Sequence, residues 1–128
     1  MKKEKEVKKV KWMSKPEGHD YPAAESYLNL IIEPSITKLI VKRLQDAEMT
    51  SFKAKDIFRA SKLSLLGVSN SHVKKNQKKI NNGEKMSPLL LVRDNSTKTV
   101  IVADGYHRLC AVYGYNEDID IPCKIVNV

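Results

Sequence analysis

Residues 88–92, Pro-Leu-Leu-Leu-Val, carry no polar side chain at any position. A β-strand turns successive side chains to opposite faces, so a strand of this kind has to be covered on both of them. Asp94-Asn95-Ser96-Thr97 is turn chemistry, and Thr99-Val100-Ile101-Val102-Ala103 is a second strand, which predicts a hairpin over 89–103. Asp104-Gly105 ends that strand. His107 to Tyr113 reads as a short helix closed by Gly114, and Pro122 to Val126 as a last strand after an acidic loop. The strand–loop–helix–strand order over 99–126 predicts a right-handed parallel crossover.

The 128 residues suffice for one domain, and a hydrophobic share of 41% is enough for a core without staples. Upstream of the hairpin the pattern is helical. Asp20-Tyr21-Pro22 opens a helix whose inward residues are Ala24, Tyr27, Leu28 and Ile31, with an acid at the positive end of the dipole. Pro34 breaks it, and Ser35 caps a second helix to about Glu48 with Ile36, Leu39, Ile40, Leu44 and Ala47 on one face. From Ser51 a short extended or mixed segment begins, and 60–67 has no readable pattern. Ser71 to Asn82 is helical, with Val73, Asn76, Gln77 and Ile80 inward and Asn82-Gly83 as its stop. The expected layout is a basic flexible arm over 1–18, a helical pair over 19–50 and a mixed α/β unit over 51–128, with 19–128 forming one compact body.

The net charge of +8 is concentrated in two short segments. Residues 1–12 carry six lysines against Glu4 and Glu6, and residues 71–85 carry five against Glu84; elsewhere acids and bases balance. Such segments attract polyanions without regard to sequence, and they also serve as plain solvated surface. No apolar run approaches the roughly 20 residues of a membrane span, so no membrane partner is expected. The first twelve residues lack the apolar stretch of a secretion signal. Cys110 and Cys123 have neither C-x-x-C nor zinc spacing, which points to a reduced, cytoplasmic chain.

Ala103-Asp104-Gly105-Tyr106-His107-Arg108 joins a strand to a helix, and it is the stretch richest in chemistry. Glycine permits the sharp turn and a close backbone approach. The unpaired amides and dipole of the helix start favour an anion such as phosphate. Arg108 adds a planar fork suited to phosphate oxygens. His107 can donate a hydrogen bond or move a proton near neutral pH. Asp104, at the carboxyl end of its strand, either contacts a ligand or magnesium or simply caps the helix. His19-Asp20-Tyr21 either caps the first helix or folds back onto this loop. No cluster with metal-ligand spacing is found.

The segment Lys53 to Val126 resembles the ParB N-terminal/sulfiredoxin superfamily. The likeness lies in the order of elements: the segment Phe52 to Phe58, the helix before Gly83, Met86-Ser87-Pro88-Leu89-Leu90-Leu91-Val92-Arg93, the Asp104 to Arg108 loop, and Ile121-Pro122-Cys123-Lys124-Ile125-Val126. In that superfamily the loop is a glycine followed two residues later by a basic pair and a helix. ParB-type members have Gly-Glu-Arg-Arg there and bind a nucleoside triphosphate, and sulfiredoxins have Gly-Cys-His-Arg and bind ATP phosphates. Gly105, His107 and Arg108 match the second string.

The resemblance implies a nucleotide or phosphorylated small molecule, ATP or CTP with Mg2+, bound by Gly105, Tyr106, His107 and Arg108. His72, Lys75 and Lys79 form a stripe facing the anion. A small phosphotransferase, with His107 and Asp104 in catalytic roles, is the enzymatic form of this expectation. Tyr106 stands where sulfiredoxins have their nucleophile; a phenol is a far poorer one than a thiolate, so sulfinate reduction is not expected. The partition role of ParB proteins is not expected either, since residues 1–128 hold no long helix-turn-helix and dimerisation regions. The alternative is a DNA-binding module that uses Lys74, Lys75, Lys78, Lys79 and the arm. Leu66 to Lys75 in isolation looks like the turn and second helix of a helix-turn-helix.

Overall fold

A computed structural model describes residues 9–67 and 69–128 and shows a mixed α/β fold. In chain order the elements are β1 (Lys11–Trp12), α1 (Asp20–Leu28), α2 (Pro34–Asp46), β2 (Thr50–Lys53), α3 (Ala54–Ser61), α4 (Ser71–Asn81), β3 (Lys85–Met86), β4 (Leu89–Asp94), β5 (Thr99–Asp104), α5 (Tyr106–Tyr115) and β6 (Asp120–Asn127). The main sheet has the order β2-β6-β4-β5. As the hairpin requires, β4 pairs antiparallel with β5, with a register shift between Leu90 and Leu91. It pairs parallel with β6, Leu89 opposite Cys123. Because β4 lies between them, β5 and β6 run in opposite directions. The parallel crossover therefore links β4 to β6 through the hairpin and α5, not β5 to β6 as the 99–126 pattern suggested.

The alternation along β4 divides the core. Leu89 and Leu91 point to one side, where they meet Val73, Ile80 and Leu109. Leu90 and Val92 point to the other, against Ala24 and Leu28 of α1 and Ile40 and Leu44 of α2. All four strand residues are at most 1% exposed. Both faces are covered, which is what an all-apolar strand demands.

Several local expectations shift. Glu33, not Ser35, caps α2: its carboxylate accepts from the Ser35 amide at 3.0 Å, and Pro34 starts the helix, its missing N–H being no loss there. The buried stripe of α2 is Thr37, Ile40, Val41 and Leu44, so Ile36 and Leu39 face outward, as do Tyr27 and Ile31 near the end of α1. Gly114 lies inside α5, which continues to Tyr115. The connection 62–70 between α3 and α4 is longer than the turn of about 3–4 residues in a helix-turn-helix, so that likeness does not extend to the fold. Val68, in the middle of that motif, lies outside the described residues.

Residues 1–8 of the expected arm also lie outside them. Residues 9–18 are folded rather than flexible: Val10 is buried, and β1 pairs parallel with β3, Lys11 opposite Lys85 and Trp12 opposite Met86. No helix among the described residues is long and apolar enough to cross a membrane.

Candidate phosphate site at the start of helix α5

Strand β5 delivers Asp104 to the sheet edge, and the chain then turns on Gly105, whose φ of 111° lies in the left-handed region. A Cβ on Gly105 would sit 2.8 Å from Leu89 Cγ and 2.9 Å from Arg108 Nη2, so the backbone passes closer to the core than any other residue allows. Gly105 is the N-cap of α5 and no side chain caps it, so the first-turn amides keep the unpaired donors of a helix start. Asp104 therefore does not cap the helix. Its carboxylate accepts from Arg108 Nη2 at 3.0 Å, one turn along.

Arg108 is the centre of a network that crosses the whole chain. Nη2 lies 3.8 Å from Asp20 Oδ2 and 3.3 Å from the Pro88 carbonyl, while Nε is buried without a hydrogen-bond partner. Asp20, 3% exposed at the start of α1, also accepts from the Ser87 hydroxyl, and Ser87 Oγ in turn accepts from the Glu17 amide at 3.1 Å. His19 Nε2 lies 3.4 Å from Asp20 Oδ1 and 3.7 Å from Glu17 Oε1. Of the two readings of His19-Asp20-Tyr21, folding back onto the loop is the one realised. Burial pushes the Asp104 carboxyl above its ordinary range; Arg108 opposes the shift and Asp20 adds to it. Two carboxylates thus share one guanidinium, and Asp104 holds its proton more tightly than a free aspartate.

Beside this network is a cavity of 130 Å³. Arg108, Lys79, Lys85, Asn76, Ser87 and His19 contribute to its lining, with Glu17, Met13 and Met86 completing it. Lys79 and Lys85 have no acidic partner among the described residues. The cavity is small, polar and predominantly basic.

The other side of α5 carries rings instead of charges. His107 stacks on His72 of α4 at 4.8 Å and on Tyr106 at 5.5 Å. Burial and the neighbouring His72 both hold His107 below its ordinary pKa, which favours its uncharged form. The Tyr106 hydroxyl donates to the Ser64 carbonyl in the 62–70 connection. Burial and the neighbouring Cys110 also raise the Tyr106 phenol above its ordinary value.

The structure thus brings Asp104, Gly105, Tyr106, His107 and Arg108 together with His72 and Lys79, but on two sides of α5. His107 and His72 do not line the cavity, and Lys75, like Lys74 and Lys78, is exposed on the outer face of α4. The sequence reading offered Asp20 only within the His19-Asp20-Tyr21 group and did not nominate Glu17, Ser87, Lys85 or Asn76 for the site. Glu17, His19 and Asp20 offer three donor atoms within 4.8 Å of one another, a grouping that the search for metal spacing did not find.

Compared with protein-family models, with curated proteins and with solved structures, the chain matches none.

Proposed function

We propose that this is a ParB/sulfiredoxin-like domain that binds a nucleotide or another phosphate-bearing ligand at the junction of β5 and α5. The observation that carries the reading is the cavity at the first turn of α5, where Lys79 and Lys85 stand without acidic partners beside Arg108. Two unpaired ammonium groups in a small polar recess favour an anion, and Arg108 of the first turn of α5 lines the same recess. The match of Gly105, His107 and Arg108 to the superfamily loop supports the same assignment. At 130 Å³ the recess is below the roughly 300 Å³ at which sites begin to enclose drug-sized molecules. It takes a phosphate end and leaves sugar and base outside.

ATP or CTP with Mg2+ is the ligand the resemblance implies. Magnesium prefers carboxylate oxygens, and Glu17 and Asp20 supply two in or beside the cavity wall, so these are the residues that would hold it against the phosphates. In a phosphotransferase form of this reading, Asp104 positions the loop through its hydrogen bond from Arg108. His107, on the opposite side of the helix against His72, does not reach this recess. The two buried, unpaired cysteines suit a reducing, cytoplasmic setting.

Titration calorimetry with ATP, ADP, CTP and inorganic phosphate, with and without magnesium, tests the assignment. Binding is expected for at least one of them, weakened tenfold or more, about 1.4 kcal/mol, by Lys79→Ala with Lys85→Ala. Those two side chains hold no part of the core, so the variant stays folded. An absence of heat from every titrant, or full retention of it by the double variant, removes the reading.

A further inference from the structure

The described end of the first lysine-rich segment, residues 9–12, meets the second segment in the fold, about sixty positions further along the chain. Lys11 and Lys85 are direct register partners in the β1–β3 pair. Like charges placed opposite one another across strands are destabilising, so this arrangement works against the fold. The Lys11 ammonium lies over the turn between α4 and β3, where a Cβ on Gly83 would come 3.7 Å from it. Along α4, Val73 and Ile80 face the core while Lys74, Lys75 and Lys78 project outward and Lys79 turns toward Lys85. None of these six lysines has an acidic partner among the described residues.

We infer that α4 and the β1–β3 pair form one surface that docks the phosphate backbone of duplex DNA. This goes beyond the small-ligand reading, since the charge extends past anything a single nucleotide reaches. Eleven residues of α4 at about 1.5 Å each make a ridge of roughly 16 Å, and a DNA strand advances about 3.4 Å per phosphate. Four or five phosphates therefore pass along the ridge. Helix α4 has no Phe, Tyr or Trp, its one ring being His72 against His107, whereas surfaces for single strands use large rings on which bases stack. Contacts of this type position a duplex without reading its sequence.

Fluorescence polarisation with a labelled mixed-sequence duplex of roughly 20 base pairs, titrated over salt, tests the surface. The logarithm of the binding constant should fall against log salt with a slope of about −5, about 0.9 for each of the six lysines that meets a phosphate. Lys11→Gln with Lys85→Gln should flatten the slope by about 2 and weaken binding about 60-fold near 0.1 M salt, taking the lines to meet near 1 M. Lys38→Gln with Lys42→Gln, on α2 across the sheet, changes the net charge equally and should leave binding within twofold. The inference is overturned by an equal loss in that control, by an unchanged slope, by equal or tighter binding of the single strand, or by binding to phosphatidylserine vesicles and not to DNA. Arg108→Ala separates the two readings: it should abolish any heat with small phosphates and leave the DNA slope unchanged.

Discussion

Replacing Gly105 by alanine tests the geometry on which the site depends. The added Cβ would sit 2.8 Å from Leu89 Cγ, 3.0 Å from Leu89 Cδ1 and 2.9 Å from Arg108 Nη2. Arg108 can swing its end away, but Leu89 is fully buried in the layer shared by β4, α4 and α5 and has nowhere to go. Two effects add. A side chain in the left-handed region costs about 1–2 kcal/mol, and forcing a carbon into a packed core costs about 1–3 kcal/mol more. The expected loss is therefore about 2–5 kcal/mol.

A chain of this length has a total stability of roughly 6–19 kcal/mol at 0.05–0.15 kcal/mol per residue, so most of that range leaves a folded protein. In urea, with a slope of about 2 kcal/mol per M, the midpoint should drop by roughly 1–2.5 M at unchanged slope. Gly18→Ala is the control, because a Cβ there meets nothing within 4 Å; its midpoint should move by no more than about 0.5 kcal/mol equivalent. A Gly105→Ala variant within about 1 kcal/mol of the parent would refute the argument that the loop is pinned against Leu89.

Two further outcomes follow from the charges and thiols. Asp104 has a raised pKa, so it contributes stability that is full below its ordinary value of 3.8 and is lost as pH rises through the native value. The stability advantage of the parent over Asp104→Asn, measured by urea unfolding, should shrink as pH rises from 3 to 7, by no more than about 1.4 kcal/mol per pH unit. An advantage that grows with pH would mean that Arg108 outweighs burial. Cys110 and Cys123 are 1% and 0% exposed, and burial pushes the Cys123 thiol up to about 12. A chromogenic disulfide reagent at pH 8 should titrate both only after denaturant is added; fast labelling of the native protein would contradict that burial.

The hairpin and the loop were legible because their signals are local. A run with no polar residue forces two covered faces, and Asp104-Gly105 marks the end of a strand whichever sheet receives it. The face of α2 was misread because the expected and buried stripes share Ile40 and Leu44 and differ by a modest rotation. Periodicity alone gives both stripes similar weight, and the packing against Leu90 and Val92 decides between them. Strand β1 spans two residues, too few for any pattern, and its place is set by pairing with β3 and the burial of Val10 beside it. The inner part of the site was hidden by distance along the chain. Ser87 and Asp20 are 67 positions apart, and an aspartate at the first turn of a helix reads as a dipole partner until the fold turns its side chain inward.

The balance of charge around Arg108 determines how an anion is received. The guanidinium faces Asp104 and Asp20 together, so this inner group has a surplus of negative charge when both are ionised. The positive charge available to a guest is supplied by Lys79 and Lys85, which the sequence motif does not include. In the proposed function these lysines therefore make the first contact, and Arg108 joins when Asp104 releases it. Burial already favours the protonated form of Asp104, and a phosphate close by would favour it further. Proton uptake by Asp104 and transfer of Arg108 to the phosphate then become one event. That gives the aspartate of the Asp-Gly-Tyr-His-Arg loop a role that capping does not, and it explains why its side chain is directed at the arginine one turn away rather than at the open amides of α5.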